Sequence, residues 1–257
     1  MTTDDILDYL ERQIALSEPF QDIVEVVPGI SIDDSYRLML AVARRKCAKG
    51  DRLIGYKAAY TSKAMQQANG MDEPIVGCLM QSGLADESAP IALKPQIHTI
   101  VEPEIAVLLK KDLAGPGLTW LDVANATEGV FPAIEYADWS IGGKTRSRQM
   151  GIATHKSTGG IVVGGPLSSL SGLDLRSEGA AIRLNGQPRG SGTGVEVLGN
   201  PLGVVAEIAN VLSRFDTGLA AGMIVMTGSL VQAVPVSAGD AIQVDFTRLG
   251  SVNVRFA

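Results

Sequence analysis

Glu102 and Glu104 stand two residues apart in Val101-Glu102-Pro103-Glu104-Ile105-Ala106-Val107-Leu108-Leu109, and Glu135 closes Phe131-Pro132-Ala133-Ile134-Glu135. The first run reads as a strand, whose side chains alternate faces, so Glu102 and Glu104 present two carboxylates on one face beside an apolar stretch. Like charges so placed repel unless a cation lies between them. Oxygen-only ligation by two or three carboxylates suits Mg²⁺, Mn²⁺ or Ca²⁺. The same acids also fit an edge strand whose charges are solvated.

Lys57 is the second candidate. It interrupts the apolar run Arg52-Leu53-Ile54-Gly55-Tyr56-Lys57-Ala58-Ala59-Tyr60, where a charge is costly unless paired. Near a cation its pKa would fall, which suits proton transfer; at a strand edge it would snorkel to water. Two glycine-rich runs follow. Gly190-Ser191-Gly192-Thr193-Gly194 lacks the lysine of a phosphate loop and the order of a dinucleotide fold. Thr227-Gly228-Ser229 ends a strand, where a hydroxyl and an amide are placed to hold an acid group. Both runs equally fit tight connections. Lys144-Thr145-Arg146-Ser147-Arg148 is a basic segment, either a solvated loop or a cover that brings cations to an acidic substrate. His155 follows it, with an ordinary pKa near working pH. Two histidines and no Gly-x-Ser-x-Gly elbow leave no serine triad to assemble.

These groups need a folded scaffold, and the composition supplies one. The 257 residues are 46% apolar, enough for one large domain, or a main domain with a small attachment. A net charge of -6 and a pI near 5.0 argue against nucleic acid as the main partner. No membrane-spanning apolar run is expected, and Met1-Thr2-Thr3-Asp4-Asp5 lacks the basic start of a secretion signal. Cys47 and Cys78 make no disulfide framework, which points to a reducing cytoplasm. His98 and His155 are too few for a zinc site built on several histidines.

Helical spacing predicts a helix from Thr3 and another from Ser31 through Ala48, stopped at Gly50. Ser62 caps a short helix ending at Asn69-Gly70. Later helices begin at Thr119, where Asp122 completes a capping box, and at Asn200-Pro201. Strands are expected at 52–60, 101–109, 130–136, 159–164, 180–184, 222–227, 241–246 and 251–256, with a hairpin turn at Asn185-Gly186. Irregular alternation of helices and strands excludes a doubly wound sheet and a (β/α)₈ barrel. A mixed or antiparallel β core with outer helices remains.

The order of the pieces carries a resemblance. Gly55-Tyr56-Lys57, Glu102-Pro103-Glu104, Pro132-Ala133-Ile134-Glu135, Gly192-Thr193-Gly194, Leu198-Gly199-Asn200-Pro201, Thr227-Gly228-Ser229 and Val236-Ser237-Ala238-Gly239-Asp240 run in sequence. From about residue 30 onward the chain resembles the hydratase/decarboxylase branch of the fumarylacetoacetate hydrolase superfamily. The resemblance implies an α+β fold, a mixed β-sandwich roll with a helical N-terminal lobe. Residues 1–85 would form the lobe with the first catalytic strand, and 86–257 the β-roll catalytic domain. It implies Mg²⁺ or Mn²⁺ held by Glu102, Glu104 and Glu135, with Lys57 as the proton-transferring group. Gly199, Thr227, Gly228 and Ser229 would shape the substrate pocket. The implied substrate is a small 2-oxo or 2-hydroxydienoate acid from aromatic meta-cleavage catabolism. A cytoplasmic homo-oligomer is implied, without nucleic-acid or membrane partners.

The branch divides by reaction. Its hydratases carry an aspartate in a Pro-x-x-Gly segment that reads Pro74-Ile75-Val76-Gly77 here, which looks more like the decarboxylases. The Asp-Asn pair usual before the Gly-Gly strand is replaced in Ala153-Thr154-His155-Lys156-Ser157, which makes His155 the candidate for handling water. The expectation is a metal-dependent lyase of the 2-keto-4-pentenoate hydratase type, with a 4-oxalocrotonate-type decarboxylase as the alternative. A catalytically silent acid-binding or partner subunit is the third possibility.

Overall fold

The computed structural model describes residues 1–15, 19–94, 97–141, 146–155 and 158–257. Three helices open the chain: α1 (Thr3–Ala15), α2 (Ile23–Val26) and α3 (Ile32–Ala48). Ser31 caps α3 by accepting from Asp34 N–H, acids fill its first turn, and Arg45 and Lys46 fill its last. Gly50 just beyond it has φ +98°, a conformation that favours glycine. Tyr36, Met39, Leu40 and Ala43 turn one face of α3 to the core, while Arg45 pairs with Asp4 and Asp8 of α1.

The strand β1 (Leu53–Ala59) follows, then α4 (Lys63–Ala68), capped by Ser62, then β2 (Ile75–Met80) and the short β3 (Leu84–Ala85). Two long strands, β4 (Ile97–Leu109) and β5 (Thr127–Ile141), flank α5 (Trp120–Ala126). Asp122 accepts the Thr119 N–H at 2.8 Å, as its spacing predicts. Next come α6 (Arg148–Ala153), β6 (Thr158–Val163), β7 (Gly179–Leu184), β8 (Gln187–Thr193) and α7 (Pro201–Ser213). The chain ends through β9 (Ile224–Ser229), β10 (Val234–Pro235), β11 (Ala241–Phe246) and β12 (Ser251–Arg255).

The large sheet runs β2-β1-β9-β4-β5-β6-β3, with β10 paired to β4; the small sheet runs β12-β11-β7-β8. The mixed architecture and the outer helices agree with the sequence reading. Alternation splits the large sheet into two faces. Val101, Ile105, Val107, Val130, Ile134 and Val225 join the main core with α7 and with Ile182, Val244 and Val252 of the small sheet. On the opposite face Leu79, Ala106, Ala133, Ile161 and Met226 form a separate cluster. Leu79 lies on β2 and Ile161 on β6, five strand spacings apart along the sheet. At roughly 4.8 Å per spacing a flat sheet would hold them more than about 20 Å apart. The backbones of β2 and β6 nevertheless approach each other, which requires the sheet to curl into a roll, with this second face inside.

The structure adds elements that sequence spacing does not show. All six residues of β2 are buried, so no alternation marks it. The glycine run 190–194 is mostly strand β8, the far arm of the Asn185-Gly186 hairpin. A Cβ at Gly192 would lie 1.9 Å from the Leu230 carbonyl oxygen, so its glycines serve close backbone approach. Gly194–Ser213, which contains α7, is long and apolar enough by length and composition to cross a membrane, against the expectation of no such run. Nine of the thirteen residues of α7 are nevertheless buried, and it packs on β9 and α5, as a core helix does.

Asn200 caps α7, its side chain accepting the Leu202 N–H at 3.1 Å. Asn200→Ala is expected to cost about 1 kcal/mol. Urea unfolding checks this as a lower midpoint at unchanged slope.

Candidate active site

The register of β4 and β5 sets Glu102 directly opposite Glu135, and Glu104 follows two residues on along the same face. Oxygens of the three carboxylates lie within 4.8 Å of one another. Glu102 is half-buried; Glu104 and Glu135 are almost wholly buried. Strand alternation therefore brings the three acids together inside the roll. Burial raises the Glu104 carboxyl well above its ordinary pKa, and repulsion from Glu135 and Glu102 raises it further. A carboxyl whose pKa rises on folding lowers stability as pH climbs above its ordinary range, because the folded chain then holds more protons than the unfolded one.

Two groups offset this repulsion. The Gly228 N–H donates to Glu104 Oε2 at 2.7 Å. Lys57 Nζ donates to Glu135 Oε1 in a buried ion pair. Glu135 Oε2 has no hydrogen-bond partner among the described residues. With the acids ionised and Lys57 protonated, the cluster carries two net negative charges. A buried acceptor without a donor, beside two further carboxylates, fits a divalent cation held by oxygen.

β9 aims the Gly228 amide through a bulge. Glu104 pairs with Ser229 and Ala106 with Met226, so one extra residue sits on β9. Gly228 takes φ +101°, and a Cβ there would lie 2.0 Å from Thr61 Oγ1. The hydroxyls on either side serve the backbone: Thr227 donates to the Ile105 carbonyl at 3.0 Å, and Ser229 to the Val231 carbonyl at 2.6 Å. The Leu198 N–H donates to the Thr61 carbonyl at 2.8 Å, which brings Gly199 (φ +83°) near Thr61.

Lys57 pairs across β1–β2 with Gly77, a residue whose role spacing alone does not show. A Cβ at Gly77 would lie 2.8 Å from the His155 carbonyl oxygen and 3.3 Å from Lys57 Cε. The His155 carbonyl and the lysine stem thus both lie close against Gly77. His155 is buried, and burial, with Lys46 and Lys57 nearby, drags its pKa down to about 3. At physiological pH its imidazole is neutral, not the near-neutral titrating group that its ordinary pKa implies. Ile75 belongs to the main apolar core.

The basic segment resolves in part. Lys144, Thr145, Lys156 and Ser157 lie outside the described residues. Ser147 caps α6, and both its amide and its hydroxyl donate to Asp22, at 2.7 and 2.5 Å. Arg146 Nη1 donates to the Asp138 carbonyl at 2.7 Å. Asp138 is a further acid near Lys57 that sequence reasoning passes over, and burial raises its pKa. The only sequence signal for it is its place three residues after Glu135.

Residues 52–257 match the family described as Fumarylacetoacetate (FAA) hydrolase C-terminal. The chain is 36% identical over 231 residues to 2-hydroxyhexa-2,4-dienoate hydratase of Comamonas testosteroni, covering 89% of this chain and 88% of the relative. It is 35% identical over 256 residues to 2-oxo-hept-4-ene-1,7-dioate hydratase of Escherichia coli, covering 97% and 95%. The structure of 4-oxalocrotonate decarboxylase from Pseudomonas putida G7, complexed with magnesium and adipate, superposes with a TM-score of 0.94 at 32% identity over 100% of this chain and 99% of that one. On these findings the chain is an enzyme, and it belongs to the fumarylacetoacetate (FAA) hydrolase C-terminal family.

Proposed function

We propose that the chain is a divalent-metal-dependent lyase acting on small 2-hydroxy-2,4-dienoate or 2-oxo-enoate acids, as a hydratase of the 2-keto-4-pentenoate type. The observation that carries the reading is the meeting of Glu102, Glu104, Glu135 and Lys57 on the inner face of the roll. The names of its relatives, hydratases and decarboxylases of such acids, support the substrate class.

Glu102, Glu104 and Glu135 would hold Mg²⁺ or Mn²⁺. When bound, the cation supplies electrostatic stabilisation for the negative charge that collects at the 2-oxygen as the acid enolises. Lys57 Nζ would move the proton between the carbon skeleton and the carboxylate beside it. The Gly228 N–H fixes Glu104. Gly199, Thr227, Gly228 and Ser229 would form the pocket wall through their backbone, since the two hydroxyls are turned to backbone carbonyls. His155, neutral and buried, would orient water or substrate by hydrogen bonding.

Decarboxylation of a 4-oxalocrotonate-type acid is the second reading. Water addition needs a group that holds and deprotonates the water, whereas loss of CO₂ needs mainly the electron sink. Ile75 is apolar and buried in the core, so no acid stands at that position.

Glu104→Gln is expected to weaken Mg²⁺ binding at least about tenfold by calorimetry, since it removes an anionic ligand. The same change should raise the thermal midpoint of the cation-free protein, because it removes one of three repelling charges. Lys57→Met, assayed with Mg²⁺ present, should lower turnover by roughly 10²–10⁴-fold with the circular dichroism spectrum retained. Product analysis with 2-hydroxypenta-2,4-dienoate and 4-oxalocrotonate should show hydration, and His155→Ala should suppress it while leaving Mg²⁺ affinity within about twofold. CO₂ release without hydration would replace the hydratase by the decarboxylase. No turnover of either acid with Mg²⁺ present would reject the lyase reading.

A further inference from the structure

A cavity of about 190 Å³ is lined by neighbours of the glutamate cluster, and its described walls are mainly cationic. Ile161, the cross-strand partner of Glu135, forms one wall, and His155, whose carbonyl packs with the Lys57 stem around Gly77, forms another. Lys46 enters from α3, Lys94 from the segment before β4 and Arg146 from the approach to α6; among the described residues Asp138 on β5 is the one acid facing them. With His155 neutral, three cations face one carboxylate among the described residues.

These cations are unequally engaged. Arg146 donates to the Asp138 carbonyl, and its guanidinium lies 6.0 Å from the Phe20 ring centroid. Neither Lys46 nor Lys94 makes an ion pair or side-chain hydrogen bond among the described residues. Lys46 is half-buried; burial lowers its pKa, Asp51 chiefly opposes this, and repulsion from Lys94 adds a smaller lowering. Two ammonium groups that repel across a partly desolvated cavity are stabilised by an anion between them. The volume suits a short tail: about 150 Å³ is enough to hold benzene.

We propose that this cavity seats a second carboxylate, so that within the 2-oxo acid class the preferred substrate is a dicarboxylic acid with its head at Glu102, Glu104 and Glu135 and its tail carboxylate between Lys46 and Lys94. The inference rests on the reading of the glutamate cluster as the seat of a 2-oxo acid on a divalent cation. The two ends of the site then differ in sign. The head meets carboxylates bridged by a cation, and the tail meets cations directly. An acid with a plain hydrocarbon tail would enter the same cavity and leave both lysines without a counterion, the arrangement that discriminates most strongly between otherwise similar ligands.

Calorimetry at neutral pH with Mg²⁺ tests this with two inert saturated acids of equal length, 2-oxohexanedioate and 2-oxohexanoate. The diacid should bind about 10–100-fold more tightly, the scale of hydrogen bonds to charged groups. Lys46→Met should cut that preference about tenfold, and Lys46→Arg should keep most of it. Lys94→Gln, in an exposed segment where folding is not at stake, should also reduce it. Equal affinity in the unaltered protein, or a preference unchanged by both Lys46→Met and Lys94→Gln, overturns the second-carboxylate site while leaving the metal-centred reading intact. Failure of both acids to bind indicts the head group's seat instead, and this inference falls with it.

Discussion

Mutual repulsion among Glu102, Glu104 and Glu135 is the constraint around which the site is built. Carboxylates taken out of water and held this close neutralise by protonation unless positive charge or hydrogen-bond donors reach them. Lys57 supplies the charge and the Gly228 amide supplies a donor, yet one oxygen of Glu135 still lacks a donor among the described residues. The curl of the sheet makes the first of these contacts possible. β1 and β5 are separated by β9 and β4, so Lys57 reaches Glu135 only across the inside of a roll. The main core on the outer face, shared with α7 and the small sheet, holds that curvature.

Close approach of backbone is the second requirement, and three glycines meet it. Gly77 lets the His155 carbonyl and the Lys57 stem pack together. Gly228, in a conformation disfavoured for other residues, lets the β9 bulge pass Thr61 and aim its amide at Glu104. Gly192 lets the β8 backbone lie against Leu230, just beyond that bulge. A side chain at any of these positions would push apart segments that define the carboxylate geometry, so the glycines act through position and not through contact with a ligand.

The inner face also sorts charge. Acids and Lys57 gather around the glutamate centre, while Lys46, Lys94 and Arg146 gather in the neighbouring cavity. His155 stands between them, and its neutrality follows from burial next to two lysines. A charged imidazole there would add to the cationic side and repel Lys57. Kept neutral, it can donate or accept a hydrogen bond without disturbing either group of charges.

By itself the sequence determined the elements whose signals are local. Caps at Ser31, Ser62, Thr119 and Asn200, the Asn185-Gly186 turn and the alternation that puts Glu102 and Glu104 on one face each depend on residues a few positions apart. The ordered set of short motifs also carried the family resemblance. The tertiary structure alone decided the rest. β2 has no alternation to read because both of its faces are buried. The Lys57–Glu135 pair spans 78 positions of sequence and exists only because the sheet curls. The depressed pKa of His155 comes from burial among residues distant in the chain. The cationic cavity draws on α3, the segment before β4, β5 and the approach to α6. Spacing reports backbone geometry over one or two turns of chain, whereas desolvation and Coulomb interaction depend on distance in space, which only the folded roll sets.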